Sequence, residues 1–156
     1  MITPDIVQFF HNQRFTIIST IDEKGCPHNS CKGIVDINKN GKVYLLDLYM
    51  AGTYENLKRD SRISITAVDE HKFKGYCLKG KARIVPKDKV AKRILKLWED
   101  KINSRISHRL LKNMQGEKGH AAHPEALLPG PAYLIAVDIS KVVDLIPPHI
   151  KRKVKL

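Results

Sequence analysis

Tryptophan occurs once in this 156-residue chain, and aromatic residues together make up only 6% of it. Long apolar runs are missing too: none approaches the roughly 20 residues that a membrane-spanning helix needs. The opening MITPDIVQFF has no basic stretch followed by an apolar core, so no signal peptide is predicted. Cysteine is scarce. Cys26, Cys31 and Cys77 are an odd number without metal-site spacing, and a separation of five puts Cys26 and Cys31 on opposite faces of a strand. Reduced thiols in a cytoplasmic protein are the simplest account. Acidic residues are few, 16 against 28 Lys and Arg, leaving a formal charge of +12. Such a charge suits nucleic acid, an anionic membrane or phosphate-bearing small molecules. Here the lysines are strewn over every segment, with one short cluster at Lys151-Arg152-Lys153 and Lys155. That favours a solvated surface over a dedicated nucleic-acid groove. No Ser-His-Asp order and no paired carboxylates at a glycine turn are present, so hydrolase chemistry has no support.

The length fits one domain, residues 1–156, large enough to bury a core. Thr3 and Pro4 open a short helix whose apolar face is Ile6, Phe9 and Phe10. Phe15 to Asp22 alternates as a strand, and Glu23-Lys24-Gly25 turns it into a return strand expected over residues 28–37. Asn38 to Gly41 is a second turn. Arg62 to Val68 and Phe73 to Val85 follow as strands, the second interrupted at Gly80, which predicts a bulge or a close backbone approach. A helical insert is expected over about 87–115, capped by Asp88, with Asn103-Ser104 as a break. Its stripe Val90, Ile94, Trp98, Ile102, Ile106 and Leu110 reads as core or subunit interface. Residues 116–131 lose periodicity and form a loop of a length that is usually mobile or functional. His120 and His123 within it have a metal-like spacing, but Gly119 and Pro124 flank them and no third ligand is evident, so no metal site is predicted. A last strand over 133–139 precedes a basic tail at 149–156. Strands in hairpin order with flanking helices predict a mainly β fold with helices: a six-stranded antiparallel split β-barrel of Greek-key type.

The stretch Lys42 to Asp60, KVYLLDLYMAGTYENLKRD, has the most chemistry in it. It starts as a strand and is interrupted at Met50-Ala51-Gly52. Thr53 then stands at a helix N-cap position, with Tyr54, Glu55 and Asn56 as the first turn. First-turn N–H groups point outward there and the helix dipole is positive, which makes the turn a place to hold an anion. An ordinary capped surface helix fits the same residues.

GCPHNSCKGIV (25–35), VYLLDLYMAGTYENLKRDSRISI (43–65) and GYCLKGKARIV (75–85) together resemble the pyridoxamine 5'-phosphate oxidase-like FMN-binding split-barrel family, in order and spacing. The resemblance implies a homodimer with FMN in a cleft between subunits. It implies flavin-dependent oxidation or reduction of a small molecule, or electron transfer to a redox partner. Some relatives hold haem or a deazaflavin instead. Carried onto this chain, Ser30, Cys31 and Lys32 match the second-strand contacts to the flavin, and Leu48 and Met50 the end of the third strand. Gly52 and Thr53 match the phosphate turn, with Asn56 in reach of the same ligand. Many members place arginine and lysine in that turn, where this chain has Ala51-Gly52-Thr53. Phosphate affinity would then rest on the helix terminus, on Thr53 and on a lysine from elsewhere, with Lys32 and Lys79 as candidates. The oxidase's basic C-terminal segment is not recognisable. The competing readings are a non-catalytic barrel that stores or senses flavin or haem, and a basic nucleic-acid-binding module.

Overall fold

The computed structural model describes residues 2–117 and 124–151. His120, His123 and the tail from residue 152 lie outside the described residues. Among the described residues, seven strands rather than six form one antiparallel sheet: β1 (Thr16–Ile21), β2 (Pro27–Lys32), β3 (Ile34–Ile37), β4 (Lys42–Asp47), β5 (Arg62–Asp69), β6 (Lys74–Pro86) and β7 (Tyr133–Asp144). The added strand comes from 28–37, expected as one element and interrupted at Gly33. The part before Gly33 pairs with β1, the part after it with β4. In the sheet order β2-β1-β5-β6-β7-β4-β3, the two ends are therefore one residue apart along the chain. The sheet must curl until its edges approach each other, which also hides the unpaired backbone groups of those edges.

Alternation sets the inner face. Ile63, Ile65 and Ala67 point inward, as their spacing predicts, and pack with Ile18, Leu45, Leu78 and Ile135. On β1 the inward set is Thr16, Ile18 and Thr20, which leaves Phe15 and Ile17 more than half exposed outside. Helix α1 (Pro4–His11) begins at Pro4, whose fixed φ suits a first turn. It buries Phe10 in the core and sets Phe9 edge-on against Tyr76.

Helix α3 (Lys92–Met114) runs without the break expected at Asn103-Ser104; the Asn103 carbonyl accepts the Ser107 hydroxyl at 2.9 Å while the helix continues. Nor is Asp88 its cap. Asp88 lies in a 3-10 turn, and the extended residues Val90 and Ala91 follow before the helix starts. That extension drops Val90 into a second apolar cluster with Val35, Leu46, Ile94 and Leu134, a gain that outweighs one cap hydrogen bond. Strand β7 passes its expected end at Ile139 and reaches Asp144. Its register against β6 shifts at Lys79/Gly80, so Ser140 is the extra residue of the irregularity, while Lys141 faces Lys79 and Val142 faces Leu78. Gly80 is needed there, because a Cβ would run into the Asp138 carbonyl oxygen.

Candidate functional site

The period of two along β2 puts His28, Ser30 and Lys32 on one side of the strand. Each meets a different part of the segment between β4 and helix α2 (Gly52–Arg59). The His28 ring lies against Gly52, where a Cβ would stand 3.0 Å from Nε2, and its Nδ1 is buried with no hydrogen-bond partner among the described residues. The Ser30 and Thr53 hydroxyl oxygens are 3.1 Å apart, sharing a hydrogen bond. Lys32 Nζ is 2.6 Å from Asp47 Oδ2.

Thr53 is not the N-cap. Helix α2 starts at Gly52, and the flanking residue is the extended Ala51, whose side chain makes no cap hydrogen bond. Thr53 turns inward instead, 4% exposed, and shares a hydrogen bond with the Ser30 hydroxyl. Among the described residues the first-turn N–H groups are thus left without a cap from the flanking side chain, next to the Nε2 side of the His28 ring.

Asp47 organises the neighbouring position. Its carboxylate is buried (6% exposed for the residue) and accepts the Leu48 N–H at 2.9 Å and the Tyr133 hydroxyl at 2.7 Å, besides pairing with Lys32. Burial, and then the hydrogen bond to Asp47, hold the Tyr133 phenol well above its ordinary pKa, so it remains a donor. Lys32 is already matched by a carboxylate and brings no net charge to the turn.

The other expected residues are distributed around this centre. Cys31, Lys32 and Leu48 line a cleft of about 260 Å³, together with Asp47 and, from α3, Trp98 and Lys101. Met50 projects outward. Asn56 lies buried, donating to Thr20 Oγ1 at 3.0 Å and accepting from Arg59 at 3.1 Å, so its amide is engaged beneath the helix. Lys79 lines a separate cleft of about 490 Å³ on the outer sheet face, beside Arg62 and Lys81. No group of three or more metal-ligating side chains lies among the described residues.

Sequence reasoning reads His28, beside Pro27, as a strand-edge residue rather than a base, and does not single out Asp47 or Tyr133. Two signals were available: His28 shares the period-two face of Ser30 and Lys32, and Asp47 is a lone carboxylate in the run Leu45-Leu46-Asp47-Leu48.

A curled antiparallel sheet whose second strand faces the start of a short helix is the frame of one family. Residues 2–128 match the family model of pyridoxamine 5'-phosphate oxidase, and the chain belongs to that family. Among solved structures, HupZ of Group A Streptococcus is similar at TM-score 0.63 and 20% identity, over 94% of this chain and 95% of that one. A Clostridium acetobutylicum protein of the pyridoxinephosphate oxidase family, related to general stress protein 26 of B. subtilis, is similar at TM-score 0.59 and 17% identity, over 94% of each chain. HutZ, the haem storage protein from Vibrio cholerae, is similar at TM-score 0.53 and 18% identity, over 90% of this chain and 92% of that one. These likenesses are of fold. No curated protein matches the chain in sequence.

Proposed function

We propose that this chain is an FMN-binding flavoprotein, an oxidoreductase acting on a small molecule or passing electrons to a partner. The observation that carries the reading is the start of α2. It begins at Gly52 with no cap from Ala51, the Nε2 side of the His28 ring packs against that glycine, and the Ser30 and Thr53 hydroxyls share a hydrogen bond beside it. A phosphate accepts hydrogen bonds from helix N–H groups and hydroxyls, and the dipole favours its charge. FMN, when bound, supplies the electron-transfer chemistry, while the protein supplies binding, orientation and electrostatics. The Lys32–Asp47 pair would offer an ammonium donor fixed by the carboxylate, and Leu48 and Trp98 would exclude water from the cleft. A homodimer is supported by the apolar outer face, where Phe15, Ile17 and Val68 stand exposed beside the Lys79 cleft. The three free thiols fit a reducing, cytoplasmic setting.

The test is a visible absorption spectrum of the purified protein, with and without added FMN, followed through reduction. Flavin bands that travel with the protein support the reading. A Soret band would replace flavin by haem, in line with the likeness to HutZ, and no bound chromophore after micromolar FMN would sink the phosphate site. Thr53→Ala should weaken FMN by about 1–2 kcal/mol, roughly 5- to 30-fold in Kd, with the melting transition kept. Unfolding of that variant would mean Thr53 serves the fold alone.

A further inference from the structure

A second cleft, of about 270 Å³, opens between the α1–β1 connection and α3. His11 and Arg14 line it from one side; Lys101, Ser104, Arg105 and His108 line it from the other. Positions 101, 104, 105 and 108 have helical spacing, so a single face of α3 presents them together. Lys101 and Arg105 also line the apolar cleft of Trp98, so the two spaces adjoin. The first has apolar walls, Trp98 and Leu48 among them, and its carboxylate, Asp47, is paired with Lys32. In the other, no carboxylate is found among the described lining residues.

The cations are held in place by the protein. The Arg105 guanidinium carbon lies 4.7 Å from the Phe15 ring centroid, and Nη2 donates to the Arg14 carbonyl. Gly33 makes room for it, since a Cβ there would stand 2.8 Å from Nη2. Lys101 Nζ donates to the Ile34 carbonyl at 2.8 Å, which uses one of its three protons. Among the described residues, no carboxylate is within ion-pair distance of Lys101 or Arg14, although both lie in the same cleft. Burial, and then the charge of Arg105, press the Lys101 ammonium below its ordinary pKa. Asp36 acts on Lys101 in the opposite sense from farther off, and an anion between Lys101 and Arg14 would meet positive charge on both sides.

We propose that the adjoining clefts bind an amphipathic organic anion: a flat apolar body against Trp98, with a carboxylate or phosphate over Lys101, Arg105 and Arg14. Its identity as the substrate rests on the flavin reading; its binding does not. Trp98 is the sole tryptophan of the chain, so energy transfer from it reports on that wall.

The experiment titrates 1-anilinonaphthalene-8-sulfonate into the full chain, and in parallel N-phenyl-1-naphthylamine, which has the same apolar body without the anion. The sulfonate should bind at least about tenfold more tightly and weaken with salt. Lys101→Met and the exposed-site variant Arg14→Ala should each lose about that tenfold for the sulfonate and leave the neutral dye unchanged. Displacement by 1-naphthoate or by 1-naphthyl phosphate tells which anion the site prefers. Equal affinity for the two dyes overturns the proposal, as does sulfonate binding that neither variant alters, or failure of both naphthyl anions to displace it. FMN is titrated into the same samples. Dye binding without FMN binding would sink the flavin reading and leave this one standing; the converse would sink this one alone.

Discussion

Replacing Asp47 by alanine should lower the stability of the fold by about 3–5 kcal/mol. The substitution strands two groups at once. Lys32, whose side chain is 13% exposed, would keep an ammonium with no counter-charge, and the Tyr133 hydroxyl would lose its acceptor inside the core. Most of the loss is the penalty of unpaired polar groups rather than the worth of the pair itself. Lys32→Met combined with Asp47→Leu should therefore recover the Lys32 share of it, because an apolar pair of similar volume has no charge to bury, while the Tyr133 hydroxyl still lacks its acceptor. Urea denaturation of the two single variants and the double variant provides the cycle. A loss under about 1 kcal/mol in Asp47→Ala would show that water reaches the pair and that it behaves as a surface ion pair.

A second large effect is expected at Gly80. In Gly80→Ala the new methyl would meet the Asp138 carbonyl oxygen, with the Asp138 carbonyl carbon at 2.9 Å and the Ile139 Cα at 3.0 Å. All three are backbone atoms, so no side chain can swing aside. Relief has to come from separating β6 and β7 where their register already shifts. We expect a cost of about 3 kcal/mol, which in a chain of this size lowers Tm by roughly 6–12 °C. Calorimetry measures it directly. An unchanged Tm would mean the bulge can slide to accommodate a side chain.

Much of this fold could be read from alternation. The inward set Ile63, Ile65 and Ala67 and the bulge at Gly80 follow from period and punctuation, which are local properties. What escaped was long-range. Gly33 looked like one more residue of a strand, because nothing near it in sequence says that its two flanks join opposite ends of a sheet. The α3 break failed to appear because Asn103 and Ser104 face solvent, where a low helix propensity costs little. In the site, the turn after β4 was found from its glycine and hydroxyl, but the direction in which Thr53 points depends on Ser30, 23 residues away. Asp47 looked out of place in an apolar run; its partners, Lys32 and Tyr133, come from two other strands and could not be named in advance.

The position of β7 has a consequence for how the chain is made. It lies between β6 and β4, yet among the described strands it leaves the ribosome after all the others. Until residues 133–144 emerge, β2-β1-β5-β6 and β4-β3 can form only as separate ribbons, hinged at Gly33, each with an open edge where β7 will go. A nascent chain in that state exposes apolar, unpaired strands and is at its most vulnerable to aggregation or to a chaperone's grip. Its survival then depends on the speed with which one late strand arrives and closes both gaps at once.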